Sequence, residues 1–296
     1  MKKIAIIGLG KWGKILLKEF SKKTCVSVCV TKGNQKNISW LHKHYPKIKH
    51  SKNYQDVLND MSIDAVIIAT PISTHYSLIL EALNSGKHVF TEKPLSENFS
   101  DAQYLQTIAL KKKLCLFVGH VFVYHPILNK IKKLIKNDSV IYFSLKWNKF
   151  GTFEENIVFN LLSHEISILL ELIGIPKNLS IISSQGIISD SDILTINVFF
   201  SKNCSGIISI DRISENKEKS VSIITNNQFL LWQDYDLYSL NKKTKKLNKI
   251  FHSDQSSLTN EINEFLKNLK IRHSNTNNLQ IAIDTIKLLS NLKRLE

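Results

Sequence analysis

Three stretches of this 296-residue chain carry side chains whose types and spacing suit chemistry. The first is Gly8-x-Gly10-x-x-Gly13, which follows an apolar run and opens a helical pattern. In that context such glycines form a dinucleotide cradle. Gly8 allows a tight turn, Gly10 lets the backbone approach a pyrophosphate, and Gly13 lets the helix pack on the strand. The free N–H groups at the helix start would meet the phosphates. The second stretch is Glu92-Lys93-Pro94, directly after a strand-like run. Lys93 there can donate hydrogen bonds to a substrate oxygen and stabilise developing alkoxide charge. Its plain alternative is a surface lysine. The third is "FNLLSHEIS", residues 159–167, where Asn160 and His164 stand one turn apart. A histidine near its ordinary pKa of about 6.5 suits removal of a hydroxyl proton. Its plain alternative is a satisfied core histidine.

The helix carrying that histidine has an unusual face. At roughly 100° per residue, Asn156, Asn160, Ser163, His164, Ser167 and Glu171 share one polar strip, while the remainder is apolar except for Glu165. The strip holds no lysine, although the other long helices expose lysines freely. That predicts a strip facing a crevice.

These residues need a scaffold. The first 120 residues alternate apolar strand-like runs (4–8, 26–31, 65–70, 88–91, 114–119 and a short piece near 48–51) with helical patterns, which predicts a parallel, doubly wound sheet. Ligands bind beyond the carboxyl ends of such strands. The residues to watch are therefore Thr31 and Lys32 after the second strand, Thr70, Pro71 and His75 after the 65–70 run, then Glu92 and Lys93, and His120. A carboxylate after the second strand would bind the cofactor ribose and repel a 2′-phosphate. Thr31-Lys32 tilts the choice between NAD and NADP toward NADP. After residue 120 the pattern becomes two helices and a series of β-rich runs (140–147, 179–188, 193–201, 206–213, 220–232), followed by two terminal helical patterns. We expect an α/β chain: a Rossmann domain over 1–120, then a domain with an open, mostly antiparallel sheet over 121–296, the last helix packing back on the first domain.

Composition narrows the function. The net charge of +15 invites a nucleic-acid reading, but only three of the 40 cationic residues are arginines, and the lysines are scattered. Arginine is the residue suited to bidentate contacts with phosphate and guanine, so no nucleic-acid partner is expected. "KKTKK" near 242–246 reads as a loop or strand edge. No apolar run approaches a membrane span, and "MKKIAIIGLG" reads as a first strand rather than a signal peptide. The four cysteines show no metal-ligand or disulfide spacing. A cytoplasmic protein without a metal is expected.

Together these stretches resemble the glucose–fructose oxidoreductase / inositol dehydrogenase / MocA (Gfo/Idh/MocA) family. The matching residues are "GLGKWGKILLKEF", "DAVIIATPISTHYSLILEALNSGKHVFTEKPLS", "VGHVFVYHPILNKIKKLI" and "NLLSHEISILLELIG", all before residue 175. Trp12 and the "GH.F.Y.P" segment look more like members acting on nucleotide sugars for surface polysaccharides. The resemblance implies hydride transfer between a sugar-type hydroxyl and a nicotinamide, in a homodimer or homotetramer joined through the second sheet. It implies cofactor contacts from Gly8, Gly10, Lys11, Trp12, Gly13, Thr31, Lys32, Thr70, Pro71, His75, Glu92 and Lys93. It implies substrate contacts from Lys93, His120, Tyr124, Asn148, Asn160 and His164, with Lys93, His164 and Asn160 as the catalytic set. The family's Asp-x-x-x-His maps onto Asn160 and His164, so here asparagine replaces an aspartate that would raise the imidazole pKa. Alternatives are a non-catalytic dinucleotide-binding or regulatory member, and a reductase of a non-sugar carbonyl or imine.

Overall fold

The computed structural model describes residues 2–201, 203–271 and 276–294. Arg272, one of the three arginines, lies outside the described residues. The chain divides into two compact units, Met1–His120 with Leu258–Ile286, and Val121–Ser257 with Lys287–Glu296. The sequence reading carries a second domain through to residue 296, whereas residues 258–286 group with the first unit.

The first unit is built on six parallel strands, β1 (Lys3–Ile7), β2 (Cys25–Val30), β3 (Lys49–Ser51), β4 (Ala65–Ile68), β5 (His88–Glu92) and β6 (Leu116–Gly119), in the order β3-β2-β1-β4-β5-β6. Helices α1 (Lys11–Ser21), α2 (Gln35–His44), α3 (Gln55–Asn59), α4 (His75–Asn84) and α5 (Phe99–Lys112) connect them. Strands such as Ala65–Ile68 are buried at every position, as helices on both faces demand. The strand order reverses between β1 and β4, which places the switch-point crevice at the glycine turn. One face of the sheet is closed by a phenylalanine cluster in which Phe20, Phe90, Phe117 and Phe265 lie with ring centroids 5.4–6.0 Å apart. Asn278 braces edge strand β6, accepting from Val118 N at 2.8 Å and donating to Val118 O at 2.9 Å. These two contacts explain why the C-terminal helices belong to this unit.

The second unit begins with α6 (Pro126–Ile135) and β7 (Val140–Asn148), then a π-helical turn, Val158–Leu162, running into α7 (Ser163–Leu172). Strands β8 (Asn178–Gln185), β9 (Ile193–Ser201), β10 (Cys204–Asp211), β11 (Glu218–Thr225), β12 (Phe229–Gln233), β13 (Asp236–Asn241) and β14 (Lys246–His252) follow. Helices α8 (Ser257–Ile271) and α9 (Thr276–Ser290) precede a short β15 (Lys293–Arg294). The sheet order is β14-β13-β12-β11-β7-β10-β9-β8-β15, antiparallel except for β7–β10 and β8–β15.

Three differences from expectation have local causes. The single run expected over 220–232 is a hairpin, because Thr225 Oγ1 accepts from Asn227 N and Gln228 N and ties the turn. Strands β13 and β14 were not foreseen, since nearly every position of β14 is exposed and no alternation marks it. Residues 242–245 form their turn, held by Asn241 Oδ1 accepting from Lys243 N and Thr244 N, with Lys245 at φ 56. The expected uniform α-helix over 156–174 contains the π turn, which shifts the helical phase around Asn160.

Arg212 fixes the approach to that π turn. Its guanidinium is buried, pairs with Asp192 Oδ1 at 3.0 Å, and donates to the carbonyls of Thr152 (2.9 Å) and Glu155 (2.7 Å) and to Ser189. The other Asp192 oxygen accepts from the backbone N–H groups of Ile187, Ile188 and Ser189. One buried ion pair therefore clamps two loops, 152–155 and 187–192.

Candidate functional site: a dinucleotide cradle and a caged histidine

The glycine turn is shaped at each of its three positions. Gly8 has φ +94, and a Cβ there would lie 2.5 Å from Ala69 O. A Cβ at Gly13 would lie 2.1 Å from Gly8 O. At Gly10 the situation is the opposite: a Cβ would meet nothing within 4 Å, so the space above the first turn of α1 is open. Gly10 is the N-cap, makes no side-chain cap bond, and no acidic residue occupies the first turn. Free N–H groups, exposed Lys11 and open space make the turn fit a pyrophosphate. Thr31 is half-buried and Lys32 exposed just beyond β2, with no carboxylate at either position.

The loops after β4 and β5 are tied together. His75 is buried, with Nδ1 2.8 Å from Pro94 O and Nε2 3.0 Å from Thr70 O, so both ring nitrogens are engaged by main chain. Burial pushes its pKa down, against the two carbonyl contacts that raise it. His75 thus acts on the cradle by joining the Thr70-Pro71 turn to the Lys93-Pro94 segment, whose peptide bond is cis. Thr70 Oγ1 accepts from Thr74 Oγ1 at 2.7 Å, and Pro71 is exposed at the head of that turn.

Lys93 stands among groups that feel its charge. Burial pushes His120 down to about 3, and the Lys93 ammonium adds to this, so His120 is a neutral imidazole. Burial pushes Glu92 up to about 7, although the Trp12 indole N–H donates to it and Lys93 adjoins it. The carboxyl lies over β6, where a Cβ at Gly119 would come 3.1 Å from Glu92 Oε1. Glu261, one turn before Phe265 on α8, is fully buried with both oxygens lacking a hydrogen-bond partner. Burial, and after it the Glu92 charge, raise its pKa. The helical pattern around 258–270 gave no warning of Glu261; a carboxylate on the helix face that also carries Phe265 was the available signal.

In the second unit, Asn160 and His164 are each 9% exposed, and Ser163 and Ser167 are fully buried, so the middle of the polar strip does not face water, while Asn156 at its start is exposed. Glu171 leaves the strip to pair with Lys132. The His164 ring lies 5.3 Å from the Phe122 ring and 5.0 Å from the Trp147 ring. Tyr124 and Asn148, both half-buried, are close in sequence to these two aromatics. Glu165, the apparent exception on the apolar face, is fully buried and paired with Lys219 of β11. Neither Glu165 nor Lys219 was singled out from sequence. A lone carboxylate within an otherwise apolar helix face implies a buried cation, but sequence alone does not say which lysine.

Comparison with known proteins agrees with the cradle. Residues 2–120 match the family described as "Oxidoreductase family, NAD-binding Rossmann fold" (Gfo/Idh/MocA). An uncharacterised oxidoreductase of Bacillus subtilis, YrbE, is 30% identical over 138 residues, which cover 46% of this chain and 40% of that protein. The NADP(+)-dependent scyllo-inositol 2-dehydrogenase IolW of Bacillus subtilis is 25% identical over 193 residues, covering 59% of this chain and 52% of that one. This chain therefore spans about half, or less, of the length of these relatives. The UDP-N-acetylglucosamine 3-dehydrogenase GnnA of Acidithiobacillus ferrooxidans superposes with a TM-score of 0.87 over 98% of this chain and 96% of its own, at 16% identity, which is a likeness of fold. Over residues 2–120 this chain is therefore similar to the NAD-binding Rossmann domain of the Gfo/Idh/MocA oxidoreductases.

Proposed function

We propose that this protein is an NAD(P)-dependent oxidoreductase moving a hydride between the nicotinamide and a hydroxyl or keto group of a sugar or nucleotide sugar, of the kind used in surface polysaccharides. The observation that carries this reading is the open space over Gly10, walled by two glycines that admit no side chain, in the same unit as Lys93 at the end of β5. The nicotinamide, when bound, supplies the hydride acceptor. In the oxidation direction a C–H and an O–H bond of the substrate break, a C=O bond forms, and the proton must reach a residue of the chain. We assign that proton to Lys93 and His164, with Asn160 orienting the substrate. His120, neutral beside Lys93, can give or accept a substrate hydrogen bond without adding charge. Lys32 and the missing carboxylate after β2 favour NADP.

The sugar-type substrate rests on the names of relatives, an inositol dehydrogenase and a UDP-sugar dehydrogenase. No helix among the described residues is long and apolar enough to cross a membrane, and we place the protein in the cytoplasm. We also propose a homo-oligomer through the outer face of the second sheet. That face carries Phe199 and Ile224, each more than a third exposed, among serines, and its Lys146 is paired with Glu218. A mass of one chain by light scattering would remove that part of the proposal.

The test of the reaction is a panel of inositols, sugars and UDP-sugars with NAD and NADP, followed at the nicotinamide absorbance. Turnover on a cyclic polyol or UDP-sugar is expected. Dinucleotide binding without turnover on any of them would favour the non-catalytic reading, which Asn160 in place of the family aspartate keeps in play.

A further inference from the structure

The rings around His164 also hold a cation. Lys219 Nζ lies 4.2 Å from the centroid of Phe122 and 4.2 Å from that of Trp147. Those are the two rings that flank His164, and they contact each other at 5.2 Å. Lys219 faces Trp147 directly across the β7–β11 ladder, so its side chain enters the same face of the sheet. Its ammonium is held there by Glu165, the residue after His164. An imidazolium at His164 would be a second cation against rings whose negative faces already serve the first.

We propose that Lys219 is a positioning residue that keeps His164 in its neutral, proton-accepting form, acting through the Phe122 and Trp147 rings the two side chains share. This rests on the reading of His164 as the proton acceptor. It gives the Asn160 departure a meaning: this chain lacks the carboxylate that would raise the imidazole pKa and carries a buried lysine that lowers it. The same ammonium already acts on a second imidazole, because His125, pushed down to about 4 chiefly by burial, is lowered further by Lys219.

The other charged groups of this unit near the cluster are few. Glu165 pairs with Lys219, and burial raises its pKa against the pull of that cation. Lys149 reaches the Trp147 ring at 5.8 Å from a half-buried position. On the neighbouring α6, Lys132 is paired with Glu171, two turns beyond His164. Among the described lysines of this unit, Lys219 lies nearest to the two rings that flank His164.

The experiment titrates His164 by NMR in the ligand-free, histidine-labelled protein, with His164→Gln assigning the resonance. Lys219→Met and Lys219→Gln both remove the charge, and the glutamine can still donate to Glu165. In whichever of them folds, His164 should titrate about one pH unit higher than in wild type, a tenfold gain in proton affinity. Lys219→Arg should keep the wild-type value. An unchanged titration in a folded, charge-removing variant overturns the proposal, and so does a larger shift from Lys149→Met. Because no substrate or cofactor enters the measurement, a protein that turns over nothing would defeat the proposed function and leave this titration standing.

Discussion

Lys93→Met should lower kcat by about two to four orders of magnitude, the range typical for losing a positioned acid or base. The dinucleotide dissociation constant should change less than tenfold, because the cradle is built by Gly8, Gly10 and Gly13. The expectation follows from where the ammonium sits. It directly follows β5 at the carboxyl edge of the sheet, beside Glu92, whose pKa burial raises, and the neutral His120. A methionine there leaves developing alkoxide charge without the ammonium donor. The loop itself should survive, since His75 holds the carbonyl of Pro94 whatever residue stands at 93. Steady-state kinetics on whichever sugar supports turnover, with a parallel dinucleotide titration, separates the two effects. A kcat within tenfold of wild type would remove Lys93 from the chemistry.

Arg212→Met should cost about 3–5 kcal/mol of stability, the usual result of removing one partner of a buried charge pair. The loss should appear as a lower urea midpoint followed by the emission of Trp147 and Trp232, both in this unit's core. The carboxylate left behind cannot simply be rehydrated, because Asp192 is fully buried. Burial alone would raise its pKa, but the Ser189 hydroxyl and the N–H groups of Ile187, Ile188 and Ser189 hold it well below the usual carboxylate range. A depressed folded-state pKa means that its contribution is complete above the unfolded carboxylate value near 4 and is lost as pH falls toward the folded-state value. The variant's deficit should therefore be largest near neutrality and shrink in strong acid. A stability loss below about 1 kcal/mol at neutral pH would show that the clamp on loops 152–155 and 187–192 is dispensable.

The parallel sheet and its glycine turn were legible because their signals are local. An apolar strand followed by three glycines at fixed offsets constrains the backbone directly, and the structure places Gly8, Gly10 and Gly13 in the expected turn. The second sheet was legible in outline where inward positions alternate, as in β7 with Phe143, Leu145 and Trp147 buried. It failed at β14, where exposure removes the alternation, and at β13, where only Leu237 is buried. The candidate site divides in the same way. Lys93, His120 and His164 announce themselves by type and by position after a strand or within a polar strip. Glu165, Lys219 and Glu261 do not, because their importance lies in long-range partners: Lys219 is 54 residues from Glu165 in the chain. His75 shows a third case, a residue singled out by its place after a strand whose contacts are with main-chain carbonyls.

The central claim is a working dinucleotide cradle. Its direct test is fluorescence energy transfer from tryptophan to NADH or NADPH in wild type and in Gly13→Ala. The wild type should bind one of the two saturably. The alanine, whose Cβ would stand 2.1 Å from Gly8 O, should weaken binding by about one to two orders of magnitude through displacement of α1 from the turn. No binding by the folded wild type, or equal binding by the two proteins, would contradict the account.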